Sequence, residues 1–173
     1  MTTIAYHHES KTIAWDSRRV QGNSIKTDSA NKHHVINGVT FWLAGSVSDY
    51  KKAIDIYFGE KFDGYLEVDG IVLDGGEMFT IGFCKQDGFW KCPLSHNDAI
   101  GSGCDWAIAA MDFGKTPKQA IEYAKTRDCC TGGEVHELNI GGENLKPAFY
   151  EFESKYSVLP GVFGPNGINT DTL

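Results

Sequence analysis

The feature that most restricts what this chain can fold into is Asn37-Gly38, set between two β-rich runs, Lys32 to Ile36 and Val39 to Ala44. Asn-Gly favours a two-residue turn with positive φ at its centre, the turn that joins antiparallel strands. A hairpin is therefore expected over 32–44. A second is expected upstream, where Thr2 to His7 and Thr12 to Trp15 flank the polar turn His8-Glu9-Ser10-Lys11 and end at Asp16-Ser17-Arg18. Gly22-Asn23 and the polar run Lys26 to Asn31 read as a loop. The first 45 residues thus read as four short strands, with both hairpins in one antiparallel sheet.

The pattern changes at Ser48, which can cap a helix over Lys51 to Phe58; Ala53, Ile54, Tyr57 and Phe58 recur at helical spacing and Gly59 ends it. Glycines at 64, 70, 75 and 76 exclude a helix from the next stretch, so Tyr65 to Val68 and Ile71 to Leu73 read as short strands. Met78 to Cys84 and Phe89 to Pro93 form a hairpin. Ala99 to Gly103 leads into an apolar helix from Cys104 to Phe113, and a second helix, Thr116 to Thr126, opens with Pro117 at a favourable first position. Asp128 to Gly133 is a loop, Glu134 to Ile140 a strand, and the Pro- and Gly-rich remainder an irregular tail laid along the surface. Antiparallel strands with segregated helices make an α+β layered domain.

Composition narrows the partners. A chain of 173 residues that is 41% hydrophobic and 23% charged is read as one soluble domain. Its net charge of −7 argues against nucleic acid or an anionic membrane. No apolar run reaches the roughly 20 residues of a membrane span, and no basic region with an apolar core marks a signal peptide, which points to the cytoplasm. Five cysteines, at 84, 92, 104, 129 and 130, lack CxxC spacing, so zinc is not expected and free thiols are. A redox switch at Cys129-Cys130 has no further support. The pairs His7-His8 and His33-His34 sit on strands, where neighbours face opposite ways, so neither makes a two-ligand site. No metal or cofactor is expected.

One chemical opportunity stands at the start, Met1-Thr2-Thr3-Ile4. With Met1 removed, Thr2 carries a hydroxyl and a free α-amine, so nucleophile and base come from one residue. With Met1 attached, the amine is locked in a peptide bond. Processing is therefore expected in an active form.

Six motifs, in order and with near-matching spacing, carry a resemblance. They are Thr2-Thr3-Ile4; Asp16-Ser17-Arg18; Lys32, sixteen positions after Asp16; Ala44-Gly45 with Asp49; Gly101-Ser102-Gly103; and Arg127-Asp128-Cys129-Cys130-Thr131-Gly132-Gly133, with threonine where the pattern has serine. From residue 2 to about 140 the chain resembles a proteasome β-type subunit, including HslV-type relatives, of the N-terminal nucleophile hydrolases. The resemblance implies a four-layer αββα sandwich over residues 2–140; residues 141–173, longer than a minimal subunit needs, are read as a C-terminal extension packed on the same domain. It also implies threonine-peptidase activity on unfolded protein or peptides, and homo-oligomeric rings.

It assigns roles as well. Lys32 would stand near the Thr2 hydroxyl and favour its alkoxide-like form, with Asp16 holding the lysine charged and in place. The Gly45 N–H would be the oxyanion donor. Ser102, Asp128 and Thr131 would surround and tune the new α-amine. By family position Ala30, His34, Leu43, Val47 and Lys51 would line the first substrate pocket. Leu43 and Val47 suggest an apolar P1 side chain, His34 and Lys51 an acidic one.

The chain also departs from the pattern. Asp49 to Ser102 is shorter than in HslV-type subunits, so the first helix is truncated and the Gly-rich stretch 59–77 replaces the second. That shortens the outer helical layer, where an unfoldase ATPase would dock, and leaves that partnership open. Two other readings remain: an N-terminal nucleophile amidohydrolase acting on small amides, and a non-catalytic ring or scaffold subunit. An inert subunit would have no need of Asp16 and Lys32.

Overall fold

The computed structural model describes residues 2–141; Met1 and nearly all of the proposed extension lie outside the described residues. Eleven strands and three helices succeed one another there. They are β1 (Thr3–His7), β2 (Thr12–Asp16), β3 (Arg19–Gln21), β4 (Ser24–Thr27), β5 (His33–Ile36), β6 (Val39–Gly45), α1 (Tyr50–Tyr57), β7 (Val68–Asp74), β8 (Glu77–Cys84), β9 (Gly88–Pro93), β10 (Asp98–Gly101), α2 (Cys104–Asp112), α3 (Pro117–Ala124) and β11 (Val135–Asn139). The strands form a four-stranded sheet ordered β10-β1-β2-β11, a five-stranded sheet ordered β5-β6-β7-β8-β9, and the separate β3-β4 ribbon. All pairings are antiparallel.

The two N-terminal hairpins do not share a sheet, contrary to the expectation from sequence. The β1-β2 hairpin belongs to the four-stranded sheet and β5-β6 to the five-stranded one. The reason lies in their side chains, which are apolar on both faces. Ile4, Tyr6, Ile13 and Trp15 pack against Trp42, Ala44 and Ile71 of the other sheet. The intervening residues Ala5 and Ala14 face Ala107, Ala110, Ala120 and Ile121 of α2 and α3. Phe41 and Leu43 turn the other way, onto Tyr50, Ala53 and Ile54 of α1. Hairpins with two apolar faces bury more area by stacking face to face than by pairing edges. Each fully buried large side chain, such as Ile4 or Ile71, stabilises by about 1.5–3 kcal/mol.

Three further departures have local causes. The segment read as a loop is the β3-β4 ribbon, turning at Gly22 with φ 56; it is largely exposed and lacks the apolar alternation that marks a strand. Of the two short strands expected around Gly70, Ile71 to Leu73 lies within one longer strand, β7, while Tyr65 to Glu67 forms no strand and only Val68 joins β7. A Cβ on Gly70 would lie 2.8 Å from Leu43 and 2.9 Å from Ile81, so this glycine is there for close packing and interrupts nothing. The residue preceding α1 is Asp49 rather than Ser48, because a short 3-10 turn over Val47–Asp49 takes up the chain first. By contrast α3 starts as its sequence directs. The Thr116 hydroxyl accepts from the Gln119 N–H, the Gln119 side chain accepts from the Thr116 N–H, and Pro117 fills the first turn.

His33 stacks on Trp15 at 5.4 Å and meets Trp42 at a tilt at 5.3 Å. Burial, with help from neighbouring His34 and His136, pushes its pKa down to about 4. Between that value and about 6.5 the unfolded chain binds a proton that the folded chain refuses. Stability is therefore complete above the unfolded pKa and declines as pH falls through the window, by on the order of 2–3 kcal/mol. Urea midpoints should drop between pH 7.5 and pH 4.5, and His33→Phe should flatten that slope; identical slopes in the two proteins would show that His33 is not held neutral.

Candidate active site

The site is assembled where β1 begins. The Thr2 carbonyl accepts from the Ser102 N–H at 2.9 Å, just beyond the pairing of Thr3 with Gly101. That approach demands glycine at 101, which has φ 93; a Cβ there would lie 1.8 Å from the Thr2 oxygen. Thr2 is 2% exposed.

Asp16, the last residue of β2, is completely buried. Its Oδ1 accepts from Lys32 Nζ at 2.5 Å and from the Thr3 N–H at 2.9 Å. Its Oδ2 accepts from the Gly132 N–H at 2.9 Å and the Arg18 N–H at 3.3 Å. Four donors thus hold one carboxylate, the condition under which a buried charge is tolerated. Lys32 is 3% exposed. Burial pulls its pKa below the usual lysine range, and the Asp16 charge opposes that pull.

The rest of the Asp-Ser-Arg motif ties this corner to the Gly132-Gly133 loop. The Ser17 and Arg18 N–H groups both donate to the Gly132 carbonyl. Arg18 grips Asp28 with two bonds, of 2.8 and 3.1 Å, and donates to the Cys129 carbonyl at 3.1 Å.

On the other side of Thr2 lies a relay of hydroxyls. Asp128 Oδ2 accepts from Ser102 Oγ and from Thr131 Oγ1, both at 2.6 Å. Since Thr131 gives its proton to Asp128, its oxygen accepts from Thr3 Oγ1 at 2.5 Å. Thr3 in turn accepts from the Gly103 N–H at 3.0 Å. Every proton in the chain is therefore directed toward Asp128. Burial raises the Asp128 pKa, but the bonds from Ser102 and Thr131 outweigh it and hold the carboxyl below its ordinary value. Gly103 leaves room for the relay, as a Cβ would come within 2.5 Å of the Thr3 hydroxyl and 2.6 Å of the Thr131 hydroxyl. Thr3 stands in the sequence only as part of the Thr2-Thr3-Ile4 motif, and no role for its hydroxyl is expected from it.

A cleft of about 520 Å³ opens at Thr2 and is lined by Lys32, Gly45, Ala30, Val47 and Tyr50 among others. Gly45 ends β6 with φ 108, in a position where a Cβ would strike the Glu67 carbonyl. The other residues named for a substrate pocket lie elsewhere. His34 and Lys51 line a separate cavity of about 630 Å³. The Leu43 side chain is fully buried in the core, and its carbonyl accepts from the Tyr50 hydroxyl at 2.9 Å. Reasoning from sequence missed Tyr50, which is 7% exposed at the cleft wall.

Among the described residues, one group of three potential metal ligands comes together, Asp128, Cys129 and Cys130. The Asp128 oxygens already accept from Ser102, Thr131 and the Cys130 N–H, so no metal role is assigned. The five cysteines are free thiols. No helix among the described residues is long and apolar enough to cross a membrane.

No protein-family model matches the chain, and no curated protein matches it in sequence. Solved structures do match in shape. BPH from Thiobacillus denitrificans in complex with epoxomicin superposes with a TM-score of 0.60 at 16% identity, covering 79% of this chain and 97% of that one. Eukaryotic HslV from Trypanosoma brucei superposes with a TM-score of 0.59 at 22% identity, covering 80% of this chain and 99% of that one. With the sheets and three cores described above, these likenesses show that the chain has the HslV and proteasome β-type fold.

Proposed function

We propose that the chain is a threonine peptidase of the self-compartmentalising, proteasome-like kind, with Thr2 as nucleophile once Met1 has been removed. The observation that carries this reading is the buried Lys32–Asp16 ion pair beside a cleft shared by Thr2 and Gly45. A buried ion pair is costly to place and contributes little to stability by itself. Its position beside a buried threonine gives it a use.

In the proposed reaction the Thr2 amine takes the proton from its own Oγ1, which attacks the peptide carbonyl carbon. The Lys32 ammonium lowers the energy of the developing alkoxide, and Asp16 keeps that ammonium charged despite its burial. The Gly45 N–H stabilises the negative oxygen of the tetrahedral intermediate. The protonated amine then gives its proton to the departing amine, leaving an ester on Thr2 that water hydrolyses. Ser102, Asp128 and Thr131 orient the amine. Substrate lies along Ala30 and Val47.

The cores between α2/α3 and the first sheet, between the two sheets, and between the second sheet and α1 support the four-layer αββα arrangement. The eight residues of α1 make a short outer layer. On α2, Trp106 is 44% exposed, and Phe113 just beyond it 88%. That apolar surface supports a homo-oligomeric ring whose neighbour covers it.

The test is mass spectrometry of active protein treated with an epoxyketone peptide, which needs both a hydroxyl and a free amine on one residue. The intact mass should lack Met1 and the adduct should map to Thr2. Full activity from a uniformly Met1-retaining sample, or labelling of Cys104 or Cys129 in place of Thr2, would refute the mechanism. A monodisperse monomer that still cleaves peptides would refute the chamber.

A further inference from the structure

Two cavities meet at a single side chain. The cleft of about 520 Å³ contains Thr2, Lys32 and Gly45. The neighbouring cavity, of about 630 Å³, has apolar walls from Ile36, Ile54 and Phe58. Tyr50 is the residue that lines both. Its ring is held from several sides. It stands in the first turn of α1, donates its hydroxyl to the Leu43 carbonyl at 2.9 Å, meets His34 edge-on at 6.0 Å, and is 7% exposed. Tyr50 and Thr2 line the same cleft, so this wall faces the space at the proposed nucleophile.

We propose that Tyr50 is a specificity-determining wall that restricts the site to peptides with a small side chain at P1, the residue whose carbonyl Thr2 would attack. The inference rests on the peptidase reading of Thr2. A P1 side chain entering the cleft beside Thr2 shares that cleft with the phenol. The apolar volume suited to a Phe or Leu lies behind the ring. A side chain anchored by a hydrogen bond and packed in a core acts as a fixed partition, because moving it would leave the Leu43 carbonyl unpaired and the ring out of its packing. The occupant is thus selected by exclusion: alanine, glycine and serine fit, and aromatic residues do not.

The experiment compares fluorogenic peptides that differ only at P1, Ala against Phe, in wild type, Tyr50→Ala and Tyr50→Phe. Wild type should favour Ala by at least about tenfold in kcat/KM. Tyr50→Ala should join the cavities and shift the ratio toward Phe by at least about tenfold. Tyr50→Phe, which keeps the ring, should retain the wild-type ratio. Wild-type turnover of the Phe peptide equal to that of the Ala peptide overturns the proposal without needing any variant to fold. An unchanged ratio in folded Tyr50→Ala does so too. In parallel, product peptides ending in Ala or Phe are titrated onto Thr2→Ala and Thr2→Ala/Tyr50→Ala by calorimetry. A gain in Phe-peptide affinity on removing the ring supports the wall even if no protein in the series hydrolyses a peptide, an outcome that would sink the peptidase reading alone. Equal affinities overturn the wall.

Discussion

Thr2→Ala and Lys32→Ala should each lower peptide hydrolysis by at least about a thousandfold, and the double variant should be no worse than the weaker single. The first removes the attacking oxygen. The second removes a buried cation at the cleft, leaving the developing alkoxide without that compensating charge. Residues that act as a unit lose the unit when either is removed, which is why the losses do not add. Lys32→Arg is the informative companion. Guanidinium keeps the charge but is planar and broader than an ammonium, and Lys32 is 3% exposed, with Asp16 2.5 Å from its nitrogen. Substantial activity in Lys32→Arg would mean that charge alone suffices; its loss would show that the ammonium's position matters. Steady-state kinetics with a correctly processed N-terminus decides between them. If Lys32→Ala kept wild-type kcat, the ion pair would have no part in the chemistry.

Asp16→Ala should act on stability before it acts on rate. Removing a carboxylate that is completely buried strands the Lys32 ammonium and takes its acceptor from the Thr3 and Gly132 N–H groups, while the Arg18 N–H keeps the Gly132 carbonyl. Breaking a buried ion pair by deleting one partner costs about 3–5 kcal/mol, a large part of the roughly 5–15 kcal/mol that holds a typical domain together. Chemical denaturation should show a large fall in midpoint or an unfolded protein. Asp16→Asn keeps the shape and one acceptor, and should fall in between. Asp16→Ala/Lys32→Met removes both charges and should recover part of the loss. A denaturation midpoint for Asp16→Ala within experimental error of wild type would mean that the pair is solvated in solution.

The parts of this architecture that were legible in the sequence are those in which local chemistry and the final environment agree. The Asn37-Gly38 turn, with φ of 52 and 78, has the positive values its residue types favour. Thr116-Pro117 starts α3 because cap, proline and Gln119 all act within one turn. The motif spacing brought Asp16 to Lys32 and Ser102 to Asp128, two pairs joined by direct hydrogen bonds. What was not legible depended on partners far away in the chain. Nothing in Thr2 to Ala44 tells whether two hairpins join by their edges or their faces. The exposed β3-β4 ribbon has no core to write a pattern into it. Residues placed by family position fared according to the backbone beneath them. Ala30 and Val47 reach the cleft, whereas the start of α1 presents Tyr50 there, and His34 on β5 and Lys51 on α1 line the next cavity.

The hydroxyl relay has a consequence for timing. Its members are far apart along the chain, Gly103 100 residues and Thr131 128 residues from Thr3, and in the Asp16 shell Gly132 is 116 residues from Asp16. A ribosome that has made the first hundred residues has therefore made the proposed nucleophile, the lysine and its aspartate, but not the loop that completes the Asp16 shell or the carboxylate that gathers the relay. A nascent or prematurely ended chain carries Thr2 without the surroundings that the proposed chemistry requires. The loop around Asp128 and then β11, which pairs with β2, come last of the described elements, so on the proposed reading the site is completed only as the fold is.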